Sequence, residues 1–109
     1  MKFKQAKNNW GSSFKGYVTS NYSELVAIFG KPNYGPNADL DKVTCEWILE
    51  FEDGTIASIY DYKMDRTPFA DHRWHIGGYD DVAVERVMDC VRTHRDPLVK
   101  MVREYDANS

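Results

Sequence analysis

Residues 43–63 read VTCEWILEFEDGTIASIYDYK. Two runs of alternating apolar and polar residues flank Asp53-Gly54, a dipeptide that favours a tight β-hairpin turn. With a two-residue turn, Glu52 faces Thr55. Counting outward, Phe51 faces Ile56, Leu49 faces Ser58, Trp47 faces Tyr60 and Cys45 faces Tyr62. Side chains alternate with period two, so these pairs share one large aromatic and apolar face, expected to meet helices. The opposite face carries Thr44, Glu46, Ile48, Glu50 and Glu52 against Thr55, Ala57, Ile59, Asp61 and Lys63. A one-residue slip would expose Trp47 and bury glutamates, which argues for a well-fixed register.

Upstream, Tyr22, Leu25, Val26 and Phe29 fall at i, i+3, i+4 and i+7, which predicts a short helix over 22–29. Asn21 with Glu24 makes its start, and Gly30 followed by Pro32 makes its stop. Residues 31–42 are a loop rich in Pro, Gly, Asn and Asp. Residues 1–19 sustain no period and read as an extended or irregular arm. Trp10, Phe14 and Tyr17 dock that arm, or Asn8, Asn9 and Trp10 help close a pocket.

Downstream of the hairpin, a polar connector precedes a third strand at 72–77, with Trp74 and Ile76 on one side and Arg73 and His75 on the other. Asp80 or Asp81 caps a helix over 81–94 with an apolar stripe of Ala83, Val84, Val87, Met88 and Val91. Asp96-Pro97 opens a last helix over 97–105. The fold class is therefore α+β, a small antiparallel sheet built on the hairpin 43–52 and 55–63 plus the third strand, packed by these helices. Its 109 residues suit a single domain over 1–109.

The net charge is −3, which disfavours general nucleic-acid binding through a basic surface. Cys45 and Cys90 lie in no C-x-x-C or zinc spacing and read as structural thiols. His72 and His75, three apart in a strand, point to opposite faces, which makes them poor co-ligands, so no metal or cofactor is expected. No apolar run approaches the roughly 20 residues of a membrane span, and no leader pattern opens the chain. A cytoplasmic protein in a reducing compartment is the expectation. No nucleophile–base pair or phosphate-loop motif is present, and no catalytic residue is assigned.

Tyr60, Tyr62, Lys63, Arg66, Phe69, Arg73, His75 and Tyr79 interleave aromatics and cations where the hairpin ends and the connector begins. Aromatic faces sandwich purines, and Arg or Lys pairs with phosphate. An aromatic core rim with ordinary surface charges fits the same residues.

The strings FGKPNYGPNADLDKVTCEWILEFEDGTIASIYDYK (29–63) and WHIGG (74–78) carry F-G-x-P, K-V-x-x-E-W, D-G-T, I-Y-D-Y-K and W-H-I-G-G. With NNWGSSFKGYVTSNYSELVAIFG (8–30) before them, the pattern resembles a family of small phage proteins, the first described class of Thoeris anti-defence proteins. The resemblance implies a sponge without enzymatic activity that sequesters cyclic ADP-ribose isomers made by bacterial TIR-domain proteins. It also implies a homo-oligomer, a dimer or higher, with separate sites for cyclic oligonucleotides in some members, acting in the cytoplasm of an infected bacterium. By position alone, Phe69 is the candidate for adenine stacking, and Arg92 and Arg95 are candidates for phosphate contacts. Two other classes remain open: an inhibitor that blocks a host enzyme through its aromatic surface, and a small phosphodiesterase around Asp61, His72 and His75.

Overall fold

The structure, a computed structural model, describes residues 1–98. It is α+β, as the sequence predicts. The elements are β1 (Phe3–Gln5), β2 (Ser13–Ser20), α1 (Tyr22–Phe29), β3 (Glu46–Phe51), β4 (Ile56–Tyr60), β5 (His72–Gly78) and α2 (Val82–Arg95). One five-stranded antiparallel-paired sheet has the order β1-β3-β4-β5-β2. The final helix expected at 97–105 lies outside the described residues beyond Leu98, whose N–H donates to the Asp96 carboxylate (2.9 Å).

Both helices lie on one face of the sheet. Beneath them Leu25, Phe29, Trp47, Leu49, Phe51, Ala57, Ile59, Trp74, Ile76, Ala83, Val87 and Val91 form the core. Trp47 and Trp74 meet edge to face with ring centres 5.6 Å apart. Their indole N–H groups donate to the carbonyls of Gly30 (2.8 Å) and Ser20 (3.1 Å), so each large ring is buried with its polar atom satisfied. The start of α1 is as the sequence indicates: the Asn21 side chain accepts from the Glu24 N–H (2.9 Å). Glu24 does not reach back, however. Its carboxylate accepts from the Ser20 hydroxyl and the Arg95 guanidinium instead. At α2 the capping carboxylate is that of Asp80, which accepts from the Val82 N–H (3.0 Å).

The hairpin forms, but its register differs from the two-residue turn. Leu49 pairs with Ala57 and Trp47 with Ile59, where Ser58 and Tyr60 were expected. The loop has three residues, Glu52, Asp53 and Gly54. Phe51 N–H donates to the Thr55 carbonyl (2.8 Å) and Gly54 N–H to the Phe51 carbonyl (2.9 Å). Gly54 takes φ +88°, the left-handed residue that three-residue hairpin loops require. Because side chains alternate, one extra loop residue inverts β4 and leaves β3 unchanged. Ala57 and Ile59 turn to the core, both fully buried. Ser58 and Tyr60 turn to the other face, along with Glu46, Ile48 and Glu50.

The expected arm over 1–19 is corrected as well. Residues 3–5 and 13–20 are the two edge strands, β1 on β3 and β2 on β5. Gln5 sits level with Leu49, and Ser13 level with Gly78, so residues 6–12 join opposite edges at nearly one height. Four strand spacings are about 19 Å, and eight Cα steps reach at most about 28 Å. There is little slack, and the helices occupy the other face. The segment therefore straps the face without helices. Consistent with this, the Tyr79 hydroxyl donates to the Trp10 carbonyl (2.5 Å), and Ile48 and Ser58 are only 2% and 1% exposed on a face that no helix covers.

Candidate functional site

Below the strap, the helix-free face carries a cross-strand row. Tyr34 bridges to Glu46, Glu46 pairs with Tyr60, Tyr60 with His75, and His75 with Tyr17. Directly opposed residues share a face, so one side chain from each successive strand position lines up. The next row places Arg73 beside Thr19, and Tyr62 follows β4 off its end.

His75 is the hub. Its ring centre lies 5.0 Å from that of Tyr17, 5.2 Å from Tyr62, 5.3 Å from Phe14 and 5.4 Å from Tyr60. Phe14, Tyr17 and Tyr62 remain well exposed, so the cluster is a surface and not a second core. The cations rest on the rings. The Arg73 guanidinium lies 3.8 Å from the Tyr17 ring centre, and the Lys63 ammonium 5.3 Å from that of Tyr62. Neither forms an ion pair among the described residues.

The electrostatics follow from burial. Desolvation holds the His75 imidazole below its ordinary pKa, helped by His72 and Arg73 and opposed by Asp61. Burial raises the Glu46 carboxyl. Tyr60 is raised by burial first, then by Glu46, Tyr62 and Tyr17. The result is an aromatic bowl with a neutral imidazole at its centre and two stacked cations on its rim. Such a surface takes flat rings and anions.

The sequence-predicted residues divide. Tyr60, Tyr62, Lys63, Arg73 and His75 come together in the bowl. Tyr79 is on the same face but beyond the strap, bonded to Trp10. Arg66 is exposed on the connector. Phe69 lies elsewhere: its ring meets Tyr22 edge-on at 5.0 Å, and Tyr22 packs on Trp47 in the helix layer. Arg92 pairs with Asp89 (3.7 Å) on the exposed surface of α2. Arg95 holds Glu24 (3.1 Å) and the Thr19 carbonyl (2.8 Å). Phe69, Arg92 and Arg95 are thus not joined to the bowl.

Phe14 and Tyr17 were missed as site residues. The only signal is the brief alternation of Tyr17 and Thr19 against Val18 and Ser20, and a bulge between Phe14 and Gly16 interrupts it. The hydrolytic grouping of Asp61, His72 and His75 is not assembled. Asp61 is fully buried. Its carboxylate accepts from the N–H groups of Thr44 (2.8 Å) and Cys45 (3.0 Å) and from the Thr44 hydroxyl. Thr44 continues to Thr67 (2.9 Å), whose hydroxyl and N–H bond Asn37. Asp61 therefore ties the loop before β3 to the connector after β4. His72 turns to the other face, edge-on to Trp74 at 5.5 Å. Cys45 is buried and its thiol is pushed up to about 12 by burial, then by Asp61 and Glu46.

Among the described residues, no group of three or more His, Cys, Asp or Glu side chains is placed to hold a metal, and no helix is long and apolar enough to cross a membrane. Compared with protein-family models, curated proteins and solved structures, the chain matches none of them.

Proposed function

We propose that the chain binds and sequesters a small cyclic nucleotide of the cyclic ADP-ribose type without hydrolysing it, in the manner implied by its resemblance to Thoeris anti-defence proteins. The observation that carries the ligand chemistry is the pair of cations stacked on Tyr17 and Tyr62 around His75. A guanidinium lying on a ring and free of carboxylates keeps its edge donors for an anion. The flanking rings offer faces for a base, each worth about 1–3 kcal/mol in stacking. Capture needs no transition-state machinery, and the one buried carboxylate nearby, Asp61, is engaged in holding the backbone.

Phe14, Tyr17 and Tyr62 are open to solvent. Small ligands are held tightly in concave sites that bury most of their surface, so a second copy closing over the exposed Phe14, Tyr17 and Tyr62 completes the pocket in this reading. The bacterial cytoplasm, where such signals are made, is the proposed place of action.

The test is retention. The protein is incubated with cyclic ADP-ribose, separated from free ligand and heat-denatured, and the released ligand is analysed by mass. Intact ligand is expected. Arg73→Ala or Tyr62→Ala should weaken retention at least about tenfold, as the loss of one stacked or charge-assisted contact implies. Phe69→Ala and Arg92→Ala should leave it unchanged. Altered ligand would favour an enzyme, and no retention would remove the nucleotide reading and leave the aromatic face as a surface for blocking a protein.

A further inference from the structure

Ser58 lies on the strapped face between Ile48 and Gly77. It is 1% exposed, and its hydroxyl has no hydrogen-bond partner among the described residues. The diagonal neighbour on β5, His75, has its Nδ1 in the same condition. Two unpartnered polar atoms on neighbouring strands of one sheet face are unusual, since each leaves a desolvation cost uncompensated. Gly77 adds to the oddity. A Cβ there would stand 2.5 Å from the Ser58 Oγ and 3.4 Å from the Tyr60 ring. The face is bare of a side chain beside the Ser58 hydroxyl.

The covering strap is lightly held. Its start is fixed, because Ala6 N–H donates to the Ile48 carbonyl (2.8 Å) and Asn33 donates to the Ala6 carbonyl (2.6 Å). From residue 7 to 12 the one bond to the rest of the chain, among the described residues, is the Tyr79 hydroxyl on the Trp10 carbonyl. The Trp10 indole is 83% exposed and anchors nothing. Beside the strap a groove of about 460 Å³ opens between Lys4, Lys7, Glu50, Ile56 and Tyr79, which gives the segment room to shift.

We propose that residues 7–12 form a cover that lifts, and that Ser58 Oγ and His75 Nδ1 beneath and beside it are the atoms that hydrogen-bond the polar edge of the ligand, a hydroxyl or amino group of a nucleoside. This rests on the nucleotide reading above and deepens it: the rings and cations hold base and phosphate, and the floor reads the edge between them. A hydroxyl is both donor and acceptor, and a neutral imidazole nitrogen supplies the complementary role.

The experiment has two arms. In a Cys90→Ser background, which leaves Cys45 fully buried, Ser58→Cys is treated with a thiol reagent without ligand. Labelling faster than global unfolding, and accelerated severalfold by Tyr79→Phe, is expected. Labelling at the unfolding rate in both proteins would overturn the cover. In the second arm, Ser58→Ala should keep or raise the melting temperature, since it removes an unpaired hydroxyl, yet weaken cyclic ADP-ribose retention about tenfold. Unchanged retention in a protein that otherwise binds would overturn the floor. Should the unsubstituted chain retain no cyclic ADP-ribose, the function proposal fails, the floor loses its assigned ligand, and the labelling arm decides the cover independently.

Discussion

His75 is where the chemistry of the bowl has a titratable handle. The ionisable groups around it are Arg73 on its own face of the strand, His72 on the opposite face, the buried Asp61 beyond β4, and Glu46 across Tyr60. Burial, His72 and Arg73 all favour the neutral ring, and Asp61 alone opposes them. The folded pKa is therefore below the unfolded value of about 6.5. The unfolded chain binds the proton first, so stability is complete above about pH 6.5 and falls as the pH drops from there through the folded pKa. Thermal unfolding between pH 7.5 and 5.5 should show a decline in melting temperature that His75→Asn flattens. An equal decline in both proteins would locate the titration elsewhere. Glu46 has the opposite sign, since its raised carboxyl pKa favours the fold at lower pH, in the carboxylate range. Arg73 and His75 were legible as site residues because aromatics and cations interleave beside the hairpin's end. Asp61 entered only through the phosphodiesterase alternative, and the structure gives it a backbone-holding role instead. Its role is set by Thr44 and Cys45, which lie far along the chain from it, and no local pattern announces such a clamp.

At the scale of elements, the hairpin shows how much hangs on one residue. Asp53-Gly54 reads equally as the centre of a two-residue turn or as the end of a three-residue loop, since both need a left-handed residue. What distinguishes them lies partly outside the hairpin. Asp53 accepts from the Thr55 N–H (3.0 Å) and pairs with Arg86 of α2 (2.9 Å). The choice inverts β4 and turns Tyr60 away from the core face, where the pairing with Trp47 placed it, toward the bowl, where the interleaved aromatics and cations already named it. Gly54→Ala meets no atom within 4 Å but must hold φ +88°. It should cost about 1–2 kcal/mol, measured by urea unfolding, with Gly54→Asn costing less because Asn tolerates that region. The edge strands were illegible for a different reason. Phe3–Gln5 and Ser13–Ser20 carry little apolar alternation, and their pairing is dictated by β3 and β5. The two helices, with strong stripes and clear caps, were read nearly residue for residue.

For the whole molecule, the sheet divides the protein into a helix-covered side that holds the core and a strapped side that carries the aromatic bowl. Phe69, Arg92 and Arg95 are on the first, which separates the residues the resemblance points to by position from the cluster the topology assembles. The exposed aromatics of the second side form the kind of patch that marks an interaction surface. If a second copy closes the bowl, light scattering should give a dimer or larger species, and cyclic ADP-ribose should shift the population further toward it. A monomer with and without ligand would mean that the bowl works alone.

The strap also orders events in time. β1 and β2 are the first strands to be synthesised, yet their partners β3 and β5 come far later in the chain. Neither can settle until the middle of the molecule exists, and such non-local pairing is slow. Until β3 and β5 exist, the two amino-terminal strands have no partners, and unpaired strand edges are the state most open to pairing with other chains.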